Sequence, residues 1–218
     1  MTPESILEEL LARYTCLLPL RAALLNAFQQ MVACFQDGGA VLCCGNGGSA
    51  ADSEHIVGEL MKSFRLPRPL TGDLAMRFSV SESSRMLAER LQMPLPAISL
   101  TSQGALLSAY ANDVDADMVY AQQVLGYSLH QRNLLIAMST SGNSANVVNA
   151  VRVASLLGMP TLAITGRGGG KLAQYSDVCL CLPEKDTYRV QELTLPVYHA
   201  LCAMTEAYFF KAASNCGK

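Results

Sequence analysis

AVLCCGNGGSAADSEHIVGELMK, residues 40–62, carries the pattern that decides the fold. Its first five residues are apolar without alternation, which suits a parallel strand covered on both faces. Gly45-Asn46-Gly47-Gly48-Ser49 follows as a glycine-rich turn, and a helical pattern then runs over about 50–62. Entry from a strand into a helix through glycines leaves free backbone N–H groups at the helix start, where an anion is stabilised. On that helix His55 and Glu59 stand four apart, so both project from one side.

The same rhythm repeats outward from this unit. Apolar runs at 96–100 (PAISL), 134–139 (LLIAMS), 160–165 (PTLAIT) and 178–182 (VCLCL) alternate with helical stretches at about 103–111, 118–127, 144–157 and 189–212. Two further helices, roughly 4–16 and 20–36, precede the first strand. Thr2-Pro3-Glu4 reads as an N-cap, a first-turn proline and an acid at the first helix start. This order predicts an α/β domain, doubly wound, with a mainly parallel five-stranded sheet flanked by helices and an N-terminal helical extension. One domain is expected to span residues 1–218. Residues 64–96 break the rhythm with a connection far longer than most, in which SESSRMLAERLQ reads as a short helix capped by Ser81 or Ser83. That segment is a candidate lid or interface arm.

Composition narrows the functional classes. Half of the 218 residues are hydrophobic and 16% are charged, so a buried core is expected. The net charge of −2, with no basic tract, argues against a dedicated nucleic-acid surface, which needs clustered Lys and Arg. No apolar run approaches the roughly 20 residues of a membrane span. Glu4, Glu8 and Glu9 stand where a secretory signal is basic and then apolar, so a cytoplasmic location is expected. The eight cysteines include Cys43, Cys44, Cys179 and Cys181 within strand-like runs, as small buried residues rather than a disulfide or zinc framework. Cys216 is the thiol expected to be exposed.

A second turn resembles the first. Ser139-Thr140-Ser141-Gly142-Asn143-Ser144 leads into the helix at 144–157, and four hydroxyls in six residues exceed what helix capping needs. Ligands in open α/β sheets sit beyond the carboxyl ends of the strands, and a phosphate monoester suits glycine turns lined by hydroxyls. Neither turn is followed by a Walker lysine, and GNGGS is not GxGxxG, so nucleotide readings are weak.

CGNGGS, STSGNSANVV, ITGRGGGKLA and the closing RVQE…H together resemble the sugar-isomerase (SIS) domain family and, within it, its heptose-phosphate isomerase branch. The resemblance covers nearly the whole chain except most of 66–94 and the extreme ends. It implies a phosphate held by Ser139, Thr140, Ser141 and Ser144, with Asn46, Gly47, Gly48, Ser49, Asp113 and Gln191 also on the substrate. It implies acid/base catalysis by Glu59 and His199, and zinc held by His55, Glu59, Gln191 and His199. The implied reaction converts sedoheptulose 7-phosphate to D-glycero-D-manno-heptose 7-phosphate in a homotetramer with active sites at subunit junctions.

The residue types suit that chemistry. Aldose–ketose isomerisation through an enediol needs a base for the carbon-bound proton and a group to manage protons on oxygen. A carboxylate and an imidazole fill those roles, and zinc polarises a carbonyl. Three departures from the family pattern stand out. Pro196 lies between Gln191 and His199 and is expected to kink or restart that helix. Ser63 stands where the family commonly has an arginine, and the 64–96 connection is long. Two non-enzymatic alternatives share the domain type: a regulator that binds a replication initiator, and a sugar-phosphate sensor. The presence of Glu59 and His199 counts against the first, and the lack of a visible DNA-binding segment against the second.

Overall fold

The computed structural model describes residues 1–128 and 132–210. Five parallel strands form one sheet in the order β2-β1-β3-β4-β5: β1 Val41–Cys44, β2 Ala97–Ser99, β3 Leu134–Ser139, β4 Thr161–Thr165 and β5 Val178–Cys181. Each run expected from sequence holds a strand: β3 fills its run, and the other four are one or two residues shorter than theirs. Prolines explain two of the boundaries. Pro96 and Pro160 have no N–H for the ladder, and instead their carbonyls accept from Val41 N–H and Leu135 N–H just outside the strands.

Helices cover both faces. On one side lie α1 (Pro3–Arg13), α2 (Arg21–Gln36), α3 (Gly48–Met61) and α10 (Thr187–Phe210). They meet Val41, Cys43, Ile136, Met138, Ile164 and Leu180 of the strands in one core. On the other side lie α6 (Gly104–Tyr110), α7 (Val119–Ser128), α8 (Ala145–Leu156) and α9 (Leu172–Tyr175). Their core takes the alternate strand residues, among them Leu42, Cys44, Leu135, Ala137 and Ala163. Period-two alternation thus divides the near-continuous apolar runs between two layers. Cys34, Cys43, Cys44 and Cys202 behave as small buried core residues, and burial pushes the thiols of Cys34, Cys44 and Cys202 up to about 12. Cys179 and Cys181, expected to be buried, are only half-buried on β5 at the edge of the sheet. Cys16 is exposed, whereas Cys216 lies outside the described residues.

Thr2 caps α1 by accepting Ser5 N–H, and Pro3 occupies the first helical position. Within the long connection, α4 (Gly72–Arg77) and α5 (Glu82–Ala88) form, the second capped by Ser81 through Ser84 N–H. The chain then returns with Met93 N–H donating to the Arg68 carbonyl and Leu95 N–H to that of Leu60. Its base is therefore bonded while α4 and α5 stay on the surface, with Met76, Val80, Met86 and Leu87 exposed.

Pro196 does not restart the last helix. α10 runs as one 24-residue element through it, losing only the bond that its N–H would have made to the Glu192 carbonyl. The surrounding packing outweighs that loss, since Val190, Thr194, Val197, Tyr198 and Leu201 are all buried around the site. Among the described residues no helix is long and apolar enough to cross a membrane.

Candidate active site

The strand order reverses between β1 and β3, and the chain leaves these two neighbours toward opposite faces, into α3 and α8. A crevice opens between the two turns, at the topological switch point of the sheet. It holds a cavity of about 320 Å³ lined by Asn46, Gly47, Gly48, Ser49, Ser139, Thr140 and Ser144, joined by Met138, Thr187 and Gln191. The two hydroxyl-rich turns therefore share one space.

Their polar groups are left available for a ligand rather than spent on capping. Neither α3 nor α8 has a side-chain N-cap bond. Ser139 Oγ instead lies 3.0 Å from Ser144 Oγ and 3.4 Å from Ser141 Oγ, while Ser141 Oγ accepts Asn143 N–H at 3.1 Å. Gly47 (φ +55°) and Gly142 (φ +67°) take left-handed backbone conformations that a side chain would strain. At Gly48 the constraint is space, because a Cβ there would collide with the Gln191 amide. None of the lining residues is charged, so an anion here meets neutral donors and helix N-termini.

Asn146, Tyr120 and Thr187, none of them a candidate from sequence, hold the turns in register. Asn46 and Asn146 exchange amide hydrogen bonds, Nδ2 to Oδ1, at 2.9 and 3.0 Å. Tyr120 O–H donates to the Gly45 carbonyl at 2.7 Å, and burial pushes that phenol up to about 12, so it remains a donor at neutral pH. Thr187, first in α10, sets its Oγ1 3.5 Å from that of Thr140. Asn146 stood inside the STSGNSANVV stretch, but nothing local marked its partner a hundred residues away.

A second cluster sits further along α3 and α10. His55 Nε2 is 3.1 Å from Glu59 Oε1 and 3.4 Å from His199 Nε2, and one ligand atom from each residue lies within 4.8 Å of the others. The four-residue spacing brings His55 and Glu59 together as expected, and the unbroken α10 delivers His199 to them. Burial, then the neighbouring His55, lowers the His199 pKa below its ordinary value, so it is neutral and free to accept a proton or a metal. Lys62 Nζ meets Glu59 Oε2 at 3.0 Å and supplies a cation beside it, whereas Ser63 bonds through its N–H to Gln92.

The donor chemistry fits zinc. Tetrahedral zinc with bonds of about 2.0–2.2 Å spaces its ligand atoms about 3.3–3.6 Å apart, close to the 3.1 and 3.4 Å that separate His55 Nε2 from Glu59 and His199. Gln191 stands two turns before His199 on α10, with its amide against Gly48 at the anion cavity. Asp113 lies apart: it is exposed, in a wide-turned stretch at 111–115, and its Oδ1 accepts from Asn112 Nδ2.

This topology, with hydroxyl-rich turns at the switch point and a His/Glu cluster beside them, defines an open α/β domain built around an anion-accepting crevice. The family model described as SIS domain matches residues 16–93 and 83–166, and the chain belongs to that family. A phosphoheptose isomerase from Roseiflexus sp. is 37% identical over 183 residues, covering 84% of this chain and 80% of the relative. One from Rhodospirillum rubrum is 37% identical over 186 residues, covering 84% and 85%. The structure of phosphoheptose isomerase GmhA from Neisseria gonorrhoeae matches with TM-score 0.71 and 32% identity, over 92% of this chain and 94% of that one.

Proposed function

We propose that the chain is an aldose–ketose isomerase that converts sedoheptulose 7-phosphate to D-glycero-D-manno-heptose 7-phosphate through an enediol. The observation that carries this reading is the spacing of two clusters on the same two helices. Ser49 and His55 are six residues apart on α3, and Gln191 and His199 eight apart on α10. At 1.5 Å per residue the anion cavity and the His/Glu cluster lie about 9–12 Å apart along each helix. That suits an extended heptulose 7-phosphate, with its phosphate in the cavity and carbons 1 and 2 at the cluster. The relatives named phosphoheptose isomerase support a phosphorylated heptose as substrate.

Ser139, Thr140, Ser141 and Ser144 hold the phosphate in this reading, with Gly47, Gly48, Asn46 and Ser49 closing the cavity and Gln191 bordering it. Glu59 takes the proton from carbon, and His199 manages protons on the adjacent oxygens. His55, Glu59 and His199 would hold a zinc ion, which when bound supplies carbonyl polarisation. Gln191, whose amide lies against Gly48, would join them as fourth ligand by turning from the cavity toward the cluster. The test is conversion of sedoheptulose 7-phosphate before and after chelation and zinc return. Turnover is expected to need the phosphate, to fall on chelation and to recover with zinc. Equal turnover of unphosphorylated sedoheptulose would overturn the role of the cavity.

A homotetramer in the cytoplasm completes the reading. α1 and α10 leave a groove of about 510 Å³ between them, lined by Ile6, Leu10, Tyr14 and Pro196 and open at His199. Assembly over this face and the apolar arm would cover both. Light scattering should give four times the 23.4 kDa chain mass. A stable monomer would remove the tetramer.

A further inference from the structure

The structure holds a polar chain behind His55 that the reaction itself does not call for. Tyr198 Oη lies 2.8 Å from His55 Nδ1 and 3.3 Å from Asp52 Oδ1. Tyr198 is buried, Asp52 is half-buried, and the two belong to different helices, α10 and α3. Asp52 precedes His55 by three positions, so both face the same way.

We propose that Asp52 and Tyr198 are positioning residues that fix His55 with Nε2 as its accepting nitrogen, which rests on the reading of His55, Glu59 and His199 as the metal centre. An ionised carboxylate can only accept, so the single proton of Tyr198 goes to Asp52. The phenol oxygen then accepts from His55, which places the ring's one N–H on Nδ1. Nε2, the atom facing Glu59 and His199, is left with its lone pair. In the opposite arrangement Tyr198 donates to Nδ1 and Asp52 loses its donor, while Nε2 carries a proton that Glu59 Oε1 at 3.1 Å would accept where a metal bond belongs. The Asp52–Tyr198 link works against that pull. A histidine ligand commonly gives its other N–H directly to a carboxylate or carbonyl. Here a hydroxyl extends that link by one member and ties α3 to α10.

The test uses the full chain as Tyr198→Phe, Asp52→Asn and the double variant. Nitrogen NMR of the metal-free proteins reads the His55 tautomer, competition with a chromophoric chelator reads zinc affinity, and inorganic phosphate binding reports an intact cavity. The native protein should show His55 protonated on Nδ1. Tyr198→Phe should shift it toward Nε2–H and weaken zinc by about 10- to 100-fold, with phosphate binding kept. Asp52→Asn should act in the same direction, and the double variant should lose no more than Tyr198→Phe, because the two act in series. A native Nε2–H tautomer, or an unchanged tautomer and affinity in Tyr198→Phe, overturns the proposal, as do additive losses. If the native protein binds no zinc, the metal reading fails, and the tautomer measurement alone decides this inference.

Discussion

Glu59→Gln lowers turnover by about 10²-fold or more while leaving the fold and phosphate binding in place. Glu59 is 9% exposed, with His55 Nε2 3.1 Å from Oε1 and Lys62 Nζ donating to Oε2. The amide keeps the size and can still donate or accept one of those contacts, but it cannot take a proton from carbon. The loss therefore falls on kcat, with the phosphate term of binding preserved. Steady-state kinetics with inorganic phosphate as a competitor separates the two. Native turnover in Glu59→Gln would remove this residue from its role, and a change confined to KM would recast it as a binding group.

Glu206→Ala destabilises the protein by about 3–5 kcal/mol, the largest expected effect of any single change away from the site. Glu206 and Arg68 are both fully buried. The carboxylate accepts from Phe64 N–H and Arg68 Nε through Oε1, and from Arg65 and Leu66 N–H through Oε2. Arg68 in turn donates Nη1 to the Leu60 carbonyl and Nη2 to that of Glu59, closing the C-terminal end of α3. Alanine leaves a buried guanidinium and three backbone N–H groups without their acceptor. Replacing both partners by leucine should not restore stability, since the backbone donors remain unmet. Urea denaturation measures this, and a loss under about 1 kcal/mol would show that water replaces the carboxylate.

The sequence made the two-layer sheet legible because its strands are continuous apolar runs bounded by prolines and turns. The two anion turns were legible because glycine and hydroxyl residues concentrate there beyond any capping need. Four-residue spacing was enough to pair His55 with Glu59. Pro196 misled as to a restart of the helix, because a local rule about a missing N–H carries no knowledge of the buried face around it. The Arg68–Glu206 pair was hidden for the opposite reason. RLPRP reads as a solvated loop, and its buried arginine finds its acid some 138 positions away. Asp52 could have been found by its helical spacing to His55, whereas Tyr198 gained meaning only once α10 lay against α3.

Conversion of sedoheptulose 7-phosphate in D2O tests the central claim most directly. A base that moves the proton through an enediol exchanges it with solvent, so the aldose product should carry deuterium at carbon 2, detectable by NMR. Aldose formed without solvent deuterium would point to a direct hydride shift, and no aldose at all would contradict the isomerase reading itself.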